Sequence, residues 1–311
     1  MSNKYQLKAL ASSLFVSSVL IGCGGSGGGS PVETTAPVDP VPTVEPSAPP
    51  ALQNVELKFA ARVGEQPVSC QIMDTAIAGT QNTQPEFTDV RMYISEVILI
   101  NETGKEVALE LTQDKKWQYK NVALLDFETG QDNCANGNEA LNHLIKGTVP
   151  TDKYTSVKFT LGVPAELNHY GIDGDDAVSP LDVMGMNWSW QKGHKHLRMD
   201  IKGWNLHLGT TGCEVTDLAT ETVDCSNSRP NRPTYQFDSI DIANSTIVFD
   251  YQKLVANSDL TTNQPQTPPG CMSSATDADC GNVFTKLGLD LTTGQCIGGD
   301  CSAAQTWITV E

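Results

Sequence analysis

Fifteen consecutive residues, Met186-Asn187-Trp188-Ser189-Trp190-Gln191-Lys192-Gly193-His194-Lys195-His196-Leu197-Arg198-Met199-Asp200, carry much of the chain's capacity for metal and electron chemistry. They hold two of its five tryptophans and two of its five histidines, with two methionines and an acid. Imidazole and thioether are copper donors, and indole is the most readily oxidised aromatic side chain. His194 and His196, at i and i+2 of a strand, face one side of a sheet and can share a metal. Met186 is a candidate weak axial ligand, and Asp200 can orient a ligand histidine through a hydrogen bond. The plainer reading is a strand whose Trp188 and Trp190 straddle a sheet, with histidines on its rim.

The elements that would position these groups are strands. Apolar and polar residues alternate through Val55-Leu57-Phe59-Ala61, Val90-Met92-Ile94 into Val97–Ile100, Val107-Leu109-Leu111, Val157-Phe159-Leu161, Leu197-Met199-Ile201, Ile247-Phe249-Tyr251 and Trp307–Val310. A period of two is the signature of half-buried strands. Asn101-Glu102-Thr103-Gly104 reads as a hairpin turn between two of them. Helical patterns are few, one around Glu139–Lys146, with His143 on its surface, and one around Val283–Leu287. The expected fold is all-β: an antiparallel β-sandwich or barrel-like single domain with long loops and disulfides, spanning 54–311.

Residues 1–22 read as a lipoprotein signal peptide, with Lys4 and Lys8 ahead of an apolar run too short to span a membrane in the mature protein. It ends in Leu20-Ile21-Gly22-Cys23, a lipobox in which Cys23 takes the lipid. Gly24, where a retained protein carries Asp, points to the outer membrane, with the domain facing periplasm or cell surface. Residues 23–53 form a Gly/Ser- and then Pro-rich tether, Pro31–Pro50 holding seven of seventeen prolines. Losing residues 1–22, with two lysines and no acid, takes the net charge from −17 to −19. Such an acidic chain excludes nucleic acid as a partner and suits a basic partner, cations, or simply high solubility.

Beyond Cys23, eight cysteines remain, an even number in a chain bound for an oxidising compartment. Eight allow 105 connectivities. The simplest joins the near neighbours Cys213/Cys225, Cys271/Cys280 and Cys296/Cys301, leaving Cys70 with Cys134. The spacings do not match a zinc knuckle.

Asp89–Ser95, Trp117–Glu128 (WQYKNVALLDFE), Phe159–Pro164 leading to Asn168-His169, the Trp188/Trp190 segment, and His207–Cys213 recur as a set. With Asn231-Arg232-Pro233 and Cys271-Met272-Ser273 closing on Asp279-Cys280, they resemble the MbnP-like family, the metallo-mystery-pair four-Cys proteins, over roughly residues 54–310. The resemblance implies an exported copper binder that is not itself an enzyme. It implies a di-haem partner, akin to MauG and cytochrome c peroxidases, that oxidises a tryptophan to kynurenine beside the copper. His169 and His207, in the family-like NH and HLG motifs, are the expected ligands, brought together by strand pairing beside Trp188 or Trp190. Trp190 is favoured as the modified residue because an outward-facing indole lies nearer a docking partner. Trp117 and Trp204 are expected in the core or at its rim.

The chain departs from the family at two points. His194 and His196 stand where an aromatic pair is common, and the Asp173-Gly174-Asp175-Asp176 loop is unusually acidic. That loop lacks full calcium-loop spacing and reads as a solvated turn rather than a calcium site. Two other functions compete: a disulfide-stapled binding or adhesion module stacking its tryptophans on a sugar, and a copper oxidase. A serine hydrolase is not supported, since no G-x-S-x-G lies outside the Gly/Ser tether.

Overall fold

The computed structural model describes residues 49–135 and 137–311. The signal peptide, Cys23 and most of the tether lie outside the described residues. The first strand, Leu52–Val63, begins two residues before the domain boundary expected from sequence.

Two sheets form the sandwich. One runs in the order Ile308–Val310, Thr246–Asp250, Leu52–Val63, Leu144–Pro150, Glu110–Leu111. The other runs Thr234–Phe237, Tyr154–Leu161, Phe87–Asn101, Gly193–Ile201, Asn205–Gly209, Gly270–Cys271. Pairing is mostly antiparallel, as expected, but Leu52–Val63 runs parallel to Thr246–Asp250, and Asn205–Gly209 parallel to Gly270–Cys271. Neither sheet closes into a barrel. Alternation sends Leu57, Phe59 and Ala61 inward from the first sheet. There Phe59 stacks on Phe249 and meets Phe159 of the other sheet edge-on, both at 5.9 Å, and Phe249 packs on Trp307 at 5.2 Å.

The second sheet is covered on its other face too. Tyr93, Val122 and Leu124 point away from the main core into a smaller apolar cluster with Val163, Leu167, Leu181 and Met186. This explains why Phe87–Asn101 is buried almost without a break. The 163–186 segment forming this cover brings Asn168 and His169 over the Asn187–Ser189 and Gly193–Ile201 strands.

The turn after Asn101 forms as expected: Asn101 Oδ1 accepts from Thr103 N–H and Lys105 N–H, and Gly104 takes φ +82°. The run Val107–Leu111 divides between sheets, since Glu106–Ala108 pairs with Phe87–Asn101 and Glu110–Leu111 with Leu144–Pro150. The expected C-terminal helix is Ala278–Leu287, capped by Asp277 and ended by left-handed Gly288.

The helix expected around Glu139–Lys146 is not there. Strand Leu144–Pro150 starts in its place, because Ile145, Gly147 and Val149 form a period-two buried face. A Cβ on Gly147 would stand 2.5 Å from Glu110 O, a close approach that suits a strand. His143 is exposed, as expected, but lies at the strand's start with its ring stacked on Phe127 at 5.0 Å. All four disulfides follow the nearest-neighbour pairing: Cys70–Cys134, Cys213–Cys225, Cys271–Cys280 and Cys296–Cys301.

Candidate functional site

The hairpin Gly193–Ile201/Asn205–Gly209 turns through Lys202-Gly203, with Gly203 at φ +87°. Its register places Arg198 opposite His207 and brings Asp200 beside the same ring. His207 Nε2 lies 3.0 Å from Asp200 Oδ2. A carboxylate only accepts, so Nε2 carries the proton and Nδ1 keeps its lone pair. That Nδ1 is buried and has no hydrogen-bond partner.

Asp200 is held in turn. Arg198 Nε donates to its Oδ2 at 2.7 Å and Leu206 N–H to its Oδ1 at 3.1 Å. Burial alone would raise the Asp200 pKa, but the hydrogen bonds from His207 and Arg198, with the Arg198 charge, outweigh it and hold the pKa below the usual value. Arg198 also bridges to Asp89 Oδ2 at 2.6 Å, and Asp89 pairs with the wholly buried Arg91. A chain of alternating charge therefore runs along the covered outer face of the second sheet, from Arg91 to His207.

His207 opens on a cavity of about 640 Å³ shared with Trp188, Thr210, Thr211, Cys213, Pro268 and Met272. Trp188, half-buried, stands edge-on to the His207 ring with centroids 6.4 Å apart. Gly209 makes room for that indole, because a Cβ there would lie 2.4 Å from its Cζ3. Lys195 Nζ sits 5.9 Å from the Trp188 ring centre and donates to Gly185 O. Burial, with a smaller push from Arg198, lowers the Lys195 pKa to about 8.

Strand pairing does not bring His169 into this group. His169 lines a separate cavity of about 410 Å³ with Trp190, Tyr170 and Cys225. The Cys213–Cys225 disulfide borders both cavities, one sulfur-bearing residue lining each. Each tryptophan of the pair thus has its own histidine, and both indoles are half-buried.

His194, His196 and Met186 are placed as structural residues, not as the shared donor set read from their spacing. Both His194 nitrogens rest on backbone carbonyls, Nδ1 on Asn168 O at 2.8 Å and Nε2 on Leu181 O at 2.9 Å. The register steps from Lys195↔Gly209 to Leu197↔Leu208, leaving His196 as the extra residue of a bulge. Its Nδ1 accepts from Val163 N–H and its Nε2 meets Thr210 Oγ1. Burial lowers the pKa of both rings, that of His196 strongly. Met186 packs in the smaller apolar cluster. Among the described residues, the donor groups close enough to hold one ion do not include the Asp173–Asp176 loop; Asp173 and Asp176 instead line the Trp190 cavity. Trp204 is core and Trp117 half-buried against the smaller cluster.

Met272, Gly209, Arg198, Asp89 and Arg91 carry no site role in the sequence reading, although Arg198 lies in the Met186–Asp200 segment and the other four in family-like motifs. The available signal was Gly203: a tight turn there fixes Asp200 against His207.

The family model for MbnP matches residues 52–273. The solved structure of MbnP from Methylosinus trichosporium superposes with a TM-score of 0.68 at 26% identity, covering 84% of this chain and 98% of that one. No curated protein matches.

Proposed function

Since this chain belongs to the MbnP family, we propose that it is an exported, lipid-anchored copper carrier whose Trp188 is oxidised to kynurenine by a di-haem partner. The observation that carries this reading is the buried, unpartnered Nδ1 of His207, a residue that lines the Trp188 cavity. A ligand histidine commonly donates its other N–H to a carboxylate, which fixes its tautomer, and Asp200 meets His207 in that way. The Met272 thioether lines the same cavity and adds a soft donor suited to Cu(I). Kynurenine at position 188 would place an aryl amine and a ketone next to His207, donors that indole lacks. The chain's own part is to position, not to catalyse.

Trp188 is preferred over Trp190 because the histidine beside Trp188 has a buried nitrogen with no hydrogen-bond partner. The His169 nitrogens, beside Trp190, meet Trp190 O, Asn168 Nδ2 and Cys225 Sγ. The deciding experiment is intact mass and copper content of wild type, Trp188→Phe, Trp190→Phe and His207→Ala, each produced with the haem partner. The expected result is a gain of two oxygens and loss of one CO in wild type and Trp190→Phe, but not in Trp188→Phe. One copper per chain should be retained unless Trp188 or His207 is changed. Modification persisting in Trp188→Phe, or full copper in His207→Ala, overturns the assignment.

A further inference from the structure

The disulfide Cys213–Cys225 differs from the other three in its surroundings. Both of its cysteines are half-buried, whereas every other pair includes at least one wholly buried cysteine. It closes the hairpin Glu214–Asp217/Thr222–Asp224, whose residues are almost all exposed. Open cavities adjoin it on two sides. Exposed disulfides are the ones most readily reduced.

A histidine lies against it. His169 Nε2 is 3.3 Å from Cys225 Sγ, and the donor atoms of His169, Cys213 and Cys225 all lie within 4.8 Å of one another. His169 Nδ1 is 2.6 Å from Trp190 O, so Nδ1 carries the proton and Nε2, next to the sulfur, is the accepting nitrogen. Nε2 also accepts from the Asn168 side-chain amide at 3.1 Å, a hydrogen bond that a bound ion would replace. This is the carbonyl-oriented geometry of a ligand imidazole. Glu166, Asp173, Asp176 and Glu221 line the same cavity and favour entry of a cation.

We propose that Cys213, Cys225 and His169 form a second, redox-gated metal site, closed while the disulfide stands and able to take Cu(I) once it is reduced. A dithiol reductant supplies two electrons and two protons; the Sγ–Sγ bond breaks, two thiols form, and the reductant leaves as its own disulfide. On binding Cu(I), both thiols release their protons. Two thiolates and the Nε2 lone pair then make a three-donor soft set, which selects Cu(I) over hard cations. The site uses neither His207 nor Trp188, so it stands or falls independently of the proposed kynurenine site.

The test uses the whole chain, partially reduced with dithiothreitol and freed of it under nitrogen. Alkylation and peptide mapping should find Cys213 and Cys225 reduced first. Titration with Cu(I) against a chromogenic competitor should show one more copper per chain than in the oxidised protein, with a thiolate-to-copper absorption band. His207→Ala should keep this extra copper. Cys213→Ser/Cys225→Ser should lack it, and His169→Ala and His169→Gln should bind it roughly tenfold or more weakly. No additional copper after reduction, wild-type affinity in both His169 variants, or earlier reduction of another disulfide would overturn the proposal.

Discussion

Replacing Asp200 probes the support of His207 directly. The carboxylate accepts from His207 Nε2–H, Arg198 Nε–H and Leu206 N–H, and Asp200 is almost fully buried. In Asp200→Ala all three donors lose their acceptor. Arg198 is 21% exposed and recovers water, but His207 and Leu206 are buried, and each orphaned donor costs about 1–3 kcal/mol. With the loss of a buried opposite charge, the expected destabilisation is about 3–5 kcal/mol. Asp200→Asn keeps the shape and one acceptor but turns an amide N–H₂ towards another donor, so about 1–3 kcal/mol is expected. Because the folded pKa of Asp200 is depressed, this stabilisation is present above the ordinary value of 3.8 and is lost as pH falls through the lowered folded value. Urea unfolding with the disulfides intact, followed by fluorescence at neutral and acid pH, measures both variants. Copper affinity should fall about 10–100-fold in each, since the His207 tautomer is no longer fixed. If both variants stay within about 0.5 kcal/mol of wild type at neutral pH, the charge chain does not support the site as described.

Three further outcomes are expected. Gly209→Ala should cost about 1–3 kcal/mol in thermal unfolding and shift the tryptophan emission, because the new methyl meets the Trp188 ring and His194 O. Burial, reinforced by Glu128, raises the Asp126 pKa to about 7, so its contribution is whole below the ordinary value of 3.8 and is lost as pH rises through 7. Denaturation between pH 4 and 8 should therefore show a decline in wild type that is flatter in Asp126→Asn. Cys70→Ser/Cys134→Ser opens a loop with sequence separation 64 and should cost about 4 kcal/mol, against about 2 kcal/mol for Cys296→Ser/Cys301→Ser at separation 5, both read from chemical denaturation.

Strands, disulfides and the turn at Asn101 were legible because each leaves a local mark: period two, nearest-neighbour cysteines, an Asn-x-x-Gly loop. The run Glu139–Lys146 misled because Leu141, Leu144 and Ile145 mimic helical spacing. Only the pairing of Ile145, Gly147 and Val149 with distant strands decides otherwise. At the site, His194 and His196 read as a chelating pair by periodicity alone. A bulge at His196 and carbonyls contributed by Asn168 and Leu181 occupy them, and neither feature is local in sequence. The same holds for Trp188 and Trp190, adjacent on one segment yet assigned to different cavities by the 163–186 cover and the Cys213–Cys225 hairpin.

The strand order of the first sheet governs how this chain can reach its native state. Leu52–Val63 lies in the middle, flanked by Leu144–Pro150 and by Thr246–Asp250, whose outer neighbour is the C-terminal Ile308–Val310. Contacts so distant along the chain are entropically expensive to close and make folding slow. The first strand has no complete sheet to join until Ile308–Val310 has been synthesised. Until Thr246–Asp250 has been made, one edge of Leu52–Val63 stays unpaired, an open edge at which one unfinished chain can associate with another.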